Sequence, residues 1–196
     1  YIFPRSVEKE DNFDSLKDNL QLVNDFYLLK PQASGISYFL NQKVKKGNFD
    51  LFFSIFEKDA VLLLTTIKEF NPSLHFLAAE SSEGFEAQNG IFEVEEYLRA
   101  ACVQKDYPEK FWDYLICRAK NIRSSYWEDC LVGGADVLRI KSCARGAQGL
   151  NLLRENTGLN KQLQIFSGPS YLLDNHEIFS SPGVPGKEEV RKILRK

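Results

Sequence analysis

FDLFFSIFEKDAVLLLTTIKEF, residues 49–70, is the stretch on which the fold turns. Residues 49–56 are almost continuously apolar over the length of one strand. That pattern marks a strand buried on both faces, at the centre of a sheet covered by helices. The chain then turns through Glu57-Lys58-Asp59-Ala60 into a helix over about 58–70, which stops just before Pro72 because the residue preceding a proline avoids helical geometry. SLHFLAAE, residues 73–80, is the next strand, so the whole is a β-α-β unit with a right-handed parallel crossover.

Outward from this unit the elements are less regular. Towards the N-terminus, Leu16, Leu20, Val23 and Tyr27 predict an amphipathic helix over 14–29 with Asp14 or Ser15 as its cap. KPQASG ends it, ISYFL at 36–40 is a short strand, and Lys43, Lys45 and Lys46 form a solvated loop. Towards the C-terminus, SSEGFEAQNG reads as a polar loop, and residues 91–160 as helical throughout, with Pro108 opening one helix and Asp136 capping another. QLQIFS (162–167) is a strand candidate, followed by Gly168-Pro169 and a hairpin, SYLLD and EIF, turning at Asp174-Asn175-His176. KEEVRKILRK closes the chain as a helix. This gives an α/β architecture in two halves, β-α-β and β-β-α, separated by a helical insert at about 91–160. The domain boundary falls between an N-terminal extension, 1–47, and a main domain, 48–196.

The bulk numbers exclude several classes. An apolar content of 43% with 15 Phe supplies a sizeable core, so global disorder is excluded. A net charge of −2 argues against nucleic acid as partner. No apolar run approaches the roughly 20 residues of a membrane span, and the first residues have no signal-peptide pattern. Cys102, Cys117, Cys130 and Cys143 are spaced 15, 13 and 13 apart with no CxxC. Zinc sites use tightly paired ligands, so no metal is expected, and no cofactor motif is present. An even number of widely spaced cysteines favours two disulfides and an oxidising compartment, and hence an extracytoplasmic location. Four buried free thiols are the alternative.

The order of elements around a helical insert resembles the thioredoxin superfamily, in its DsbA-like branch. The insert itself runs Cys102, Tyr107-Pro108, Phe111, Tyr114 and Cys117, then Trp127-Glu128-Asp129-Cys130, then Ile140, Cys143-Ala144, Gly149, Leu152-Leu153 and Asn156. That pattern resembles, more specifically, the gamma-interferon-inducible lysosomal thiol reductase family and its bacterial relatives. The likeness continues through Gly168-Pro169-Ser170-Tyr171-Leu172-Leu173-Asp174-Asn175 as a cis-proline loop, and covers about residues 49–195. It implies that Gly168, Pro169 and Ser170 present backbone to an extended peptide, with Gly168 leaving the groove open. Such proteins carry a nucleophilic cysteine at the start of the first helix. Here Glu57 falls at that position, Lys58 follows it, and Ala60 takes the last of the four places. The turn Glu57-Lys58-Asp59-Ala60 is therefore a vacated active site, its acids stabilised by the helix N-terminus.

Three disulfide connectivities are open to four cysteines. Cys117 and Cys130 lie symmetrically about a bend near Arg123-Ser124, which favours their pairing and leaves Cys102 with Cys143. Each cross-link is worth about 3 kcal/mol in the loop-entropy model. His75 is a satisfied or exposed histidine, and the aromatics Tyr97, Tyr107, Phe111, Trp112, Tyr114, Tyr126 and Trp127 pack the helices, with a peptide-binding face as the alternative. The functional expectation is a non-catalytic, extracytoplasmic thioredoxin-fold protein that binds a protein or peptide near Glu57 and Pro169. The alternatives are a thiol–disulfide oxidoreductase using a cysteine pair of the insert, and a structural domain of a larger assembly.

Overall fold

Leu51, Phe52 and Phe53 are all completely buried, because their strand has a core on each of its two faces. The computed structural model describes residues 2–4, 20–23, 26–29, 37–39, 44–181 and 183–195. Its strands are β1 (Ile2–Pro4), β2 (Leu20–Val23), β3 (Phe26–Leu29), β4 (Ser37–Phe39), β5 (Phe49–Phe53), β6 (Ser73–Phe76), β7 (Ala78–Ser81), β8 (Gly84–Ala87), β9 (Ser170–Leu173) and β10 (Glu177–Ser180). Its helices are α1 (Ala60–Ile67), α2 (Ile91–Asp106), α3 (Phe111–Lys120), α4 (Val137–Arg145), α5 (Ala147–Leu163) and α6 (Lys187–Leu194).

The main sheet has the order β4-β10-β9-β5-β6. β5 and β6 are parallel, as the β-α-β pattern requires, and the other pairs are antiparallel. On one face Leu51 and Phe53 meet α1 (Leu63, Leu64, Ile67) and the helical insert (Tyr97, Tyr114, Leu115). On the other face Phe52 packs with Ile165, Leu172 and Ile178 under α5. The exposed edge of β6 is covered by a side chain rather than a strand. Asn156 of α5 accepts from the Phe76 amide (2.8 Å) and donates to the Leu74 carbonyl (2.6 Å), which satisfies an edge that is otherwise prone to pairing with another chain.

Three expectations about local structure are corrected. In place of a helix over 14–29, residues 20–23 and 26–29 are antiparallel strands with Val23 opposite Phe26, and residues 14–19 lie outside the described set. The apolar residues Leu20, Leu22, Phe26, Leu28 and Leu29 fit an alternating period as readily as a helical one, and Asn-Asp has the composition of a tight hairpin turn. The loop after residue 81 contains a paired strand, β8, reached through Gly84 at φ 124°. The strand expected at 162–167 is absent: α5 runs to Leu163 and ends on Gln164 in the left-handed region, with φ 54°. β9 already has a partner on each side, so the sheet has no place for another strand there, and Ile165 is buried from the loop instead. β4, which the sequence assigns to the N-terminal extension, hydrogen-bonds to β10 in the main sheet.

Candidate functional site

The turn that follows β5 is organised by a buried acid from the insert. Glu93, in the first turn of α2, is fully buried. Its carboxylate accepts hydrogen bonds from the hydroxyls of Ser54 and Tyr97, and from the backbone amide (2.8 Å) and side-chain amide (3.0 Å) of Asn89. A carboxylate removed from water persists only when its lone pairs are satisfied in this way. Burial, followed by the nearby Glu93 charge, pushes the Tyr97 hydroxyl well above the ordinary tyrosine range. Ser54 also accepts from the Phe56 amide (3.1 Å), so Glu93 holds the chain just ahead of Glu57.

Glu57, Lys58, Asp59 and Ala60 do form the corner between β5 and α1, but the first-turn role expected of the acids is corrected. α1 begins at Ala60, its first turn holds no acid, and the Asp59 side chain makes no capping hydrogen bond. The Glu57 carboxyl is raised above the usual range, chiefly by burial. The Ser54 backbone amide partly offsets this, while Glu93 and Asp59 add to it through like-charge repulsion. Burial and the neighbouring acids therefore both disfavour negative charge on Glu57.

Across from the corner lies Gly168-Pro169, joined by a cis peptide bond. Glu57, Lys58, Asp59, Gly168 and Pro169 line one cavity of about 340 Å³. The reason for glycine at 168 differs from the expected one. A Cβ there would stand 2.7 Å from the Phe52 carbonyl oxygen and 3.0 Å from Leu77 Cδ1, so the missing side chain makes room for β5 rather than for a ligand. Gly168→Ala is accordingly expected to cost about 1–3 kcal/mol, typical of overpacking. Equilibrium denaturation measures it, and an unchanged midpoint would show that the loop shifts freely.

All four cysteines are paired. Cys102 of α2 joins Cys143 of α4, with Cα atoms 6.1 Å apart. Cys117 of α3 joins Cys130, at the end of the 3₁₀ turn Trp127–Cys130, with Cα atoms 5.5 Å apart. Cys102, Cys130 and Cys143 are buried at 0, 4 and 4% exposure, whereas Cys117 is partly exposed. His75 is held in the sheet, with Nδ1 2.8 Å from the Asn156 carbonyl and Nε2 2.9 Å from Asp50, far from any role with sulfur. The structure thus leaves the redox-capable sulfurs in the insert and the corner without one. Sequence reasoning missed Glu93 and the equally buried Glu96, because nothing local in EVEEYL distinguishes an acid that packs inward from one in water.

This architecture, with a β-α-β half, a helical insert, a cis-proline and a β-β-α half, is the DsbA-like form of the thioredoxin fold. Solved structures of known proteins share it, three of them as follows. They are a DsbA cysteine-to-serine variant from Proteus mirabilis with a non-covalently bound peptide (TM-score 0.53, 13% identity, 85% of this chain and 100% of that one), Pseudomonas aeruginosa DsbA (0.56, 15%, 81% and 88%) and the oxidoreductase NmDsbA1 from N. meningitidis (0.56, 10%, 85% and 93%). No family model and no curated protein matches the chain. These findings correct the non-catalytic reading. The proteins that share the fold are disulfide oxidoreductases, and this chain carries two closed disulfides although its corner lacks a cysteine.

Proposed function

We propose that the protein is an extracytoplasmic thiol–disulfide oxidoreductase whose exchangeable pair is Cys117–Cys130. The observation that carries this reading is the partial exposure of Cys117 where the other three cysteines are buried, since exchange requires an incoming thiolate to reach a sulfur. In the reaction the thiolate attacks Cys117 Sγ, a mixed disulfide forms and Cys130 departs as a thiolate. A second thiol then attacks the mixed disulfide, so that two thiols become one disulfide while the protein pair gains two electrons and two protons. The last turn of α3 opposes negative charge on a reduced Cys117, and the neighbouring cations Arg118 and Lys120 act against that effect. Substrate polypeptide is assigned to the cleft at Gly168, Pro169 and Ser170, opposite the cysteine-free corner Glu57-Lys58-Asp59-Ala60. Two disulfides support an oxidising compartment, and among the described residues no helix is long and apolar enough to cross a membrane.

Insulin reduction by dithiothreitol tests the reading. The protein is expected to accelerate it, and Cys117→Ser to bring the rate down to the uncatalysed baseline. A Cys102→Ser/Cys143→Ser variant is expected to keep its turnover at a temperature where it is folded. No acceleration by the parent protein, or an undiminished rate in Cys117→Ser, would overturn the proposal.

A further inference from the structure

A cavity of about 490 Å³ lies on the insert, distinct from the cavity at Gly168-Pro169, and its volume is that of a pocket for a small ligand rather than a macromolecule. Most of its wall comes from the loop that Cys117–Cys130 closes: Arg118, Ile122, Arg123, Ser124, Ser125 and Trp127. α2 supplies Phe92, Glu95 and Arg99, α4 supplies Arg145, and Phe56 completes it beside the corner.

The charges in this wall are not balanced. Arg118 and Arg99 both face the buried Glu96 carboxylate, at 3.1 and 3.0 Å, and Arg99 makes only a 3.5 Å contact with Glu95. Arg123 and Arg145 are exposed and have no ion-pair partner among the described residues. Four guanidiniums in the wall against Glu95 in the wall and Glu96 behind it give a local excess of two positive charges, on a chain whose net charge is −2. The rest of the wall is apolar or hydroxylic. Phe92 is 72% exposed, and Trp127 lies under Arg99 with 5.5 Å between guanidinium and ring centroid. Guanidinium groups are weakly hydrated and match carboxylates in a two-pronged geometry.

We propose that this cavity binds a short acidic peptide segment, two carboxylates meeting Arg123 and Arg145 and an apolar side chain between them meeting Phe92 and Trp127. Because the disulfide closes the loop that forms the wall, the site is complete only in the oxidised protein. Ligand affinity and disulfide reducibility are then linked, and each shifts the other by the same factor. The binding claim stands whether or not the disulfide turns over substrate.

Calorimetric titration of the full chain with the N-acetylated tripeptide Glu-Leu-Glu tests the site. Binding is expected to weaken about tenfold for Arg123→Ala and again for Arg145→Ala, the loss of one charge-assisted contact each, and to weaken further as salt is raised. Equal affinity for Lys-Leu-Lys, unchanged affinity in both arginine variants, or tighter binding of inorganic phosphate than of the peptide would overturn the proposal. For the linkage, a Cys117→Ser/Cys130→Ser variant, checked for native circular dichroism, is expected to bind the tripeptide at least about tenfold more weakly. An affinity equal to that of the parent would refute the linkage. If the variant does not fold, the same comparison is made on the parent. Saturating tripeptide is expected to slow and shift its reduction by dithiothreitol, and no shift would refute it.

Discussion

Glu96→Leu is expected to lower the unfolding free energy by about 3–5 kcal/mol, the cost of leaving buried charge without its partner. Glu96 is 1% exposed and Arg118 2%. The Glu96 carboxylate accepts from the Tyr114 hydroxyl at 2.7 Å and from Arg99 at 3.0 Å. Arg118 Nε lies 3.1 Å away without the alignment of a hydrogen bond, so that contact is Coulombic. Arg118 also donates to the carbonyls of Asn121, Ile122 and Ser124, which fixes the loop ahead of Cys130. Losing the carboxylate leaves this guanidinium facing leucine. For a chain of this length the loss corresponds to roughly 10 °C in Tm. Glu96→Leu/Arg118→Met is expected to recover part of it, since removing both charges removes the desolvation penalty as well. A single-variant loss under about 1 kcal/mol in urea denaturation would show that water reaches the pair, contrary to its burial.

The second large effect belongs to the disulfide that is not proposed to exchange. Cys102–Cys143 spans 41 residues and ties α2 to α4, whereas Cys117–Cys130 spans 13. The loop-entropy model gives about 4 kcal/mol for the longer closure and about 3 kcal/mol for the shorter. Cys102→Ala/Cys143→Ala is expected to be the more damaging of the two paired deletions, and thermal melts of both variants compare them. The longer bridge is also expected to resist dithiothreitol at concentrations that open the shorter one, because both of its sulfurs are buried. Equal losses, or earlier reduction of Cys102–Cys143, would count against dividing the two disulfides into a structural and an exchangeable one.

Much of the fold was legible because its signals are local. The run from Phe49 to Phe53 carries its own double-sided burial, and Pro72 and the 174–176 turn mark their boundaries without help from the rest of the chain. Errors arose where two periods fit one segment, as at Leu20–Leu29, or where neighbours had already filled the sheet, as at 162–167. The site was less legible than the fold. The sequence locates a corner without cysteine and a Gly-Pro opposite it, but the burial of Glu93, the raised Glu57 carboxyl and the contact that requires Gly168 depend on residues 36 to 116 positions away.

By itself, the sequence determined that a central apolar strand runs into a helix through a cysteine-free turn, and that the chain's sulfur lies wholly in a helical insert. Residue type and spacing decide such things directly. Tertiary structure alone decided which cysteine meets solvent, which acids are buried and which arginines are left over. Exposure and pairing are properties of what packs against a side chain, and in the insert those partners come from segments that local periodicity does not connect.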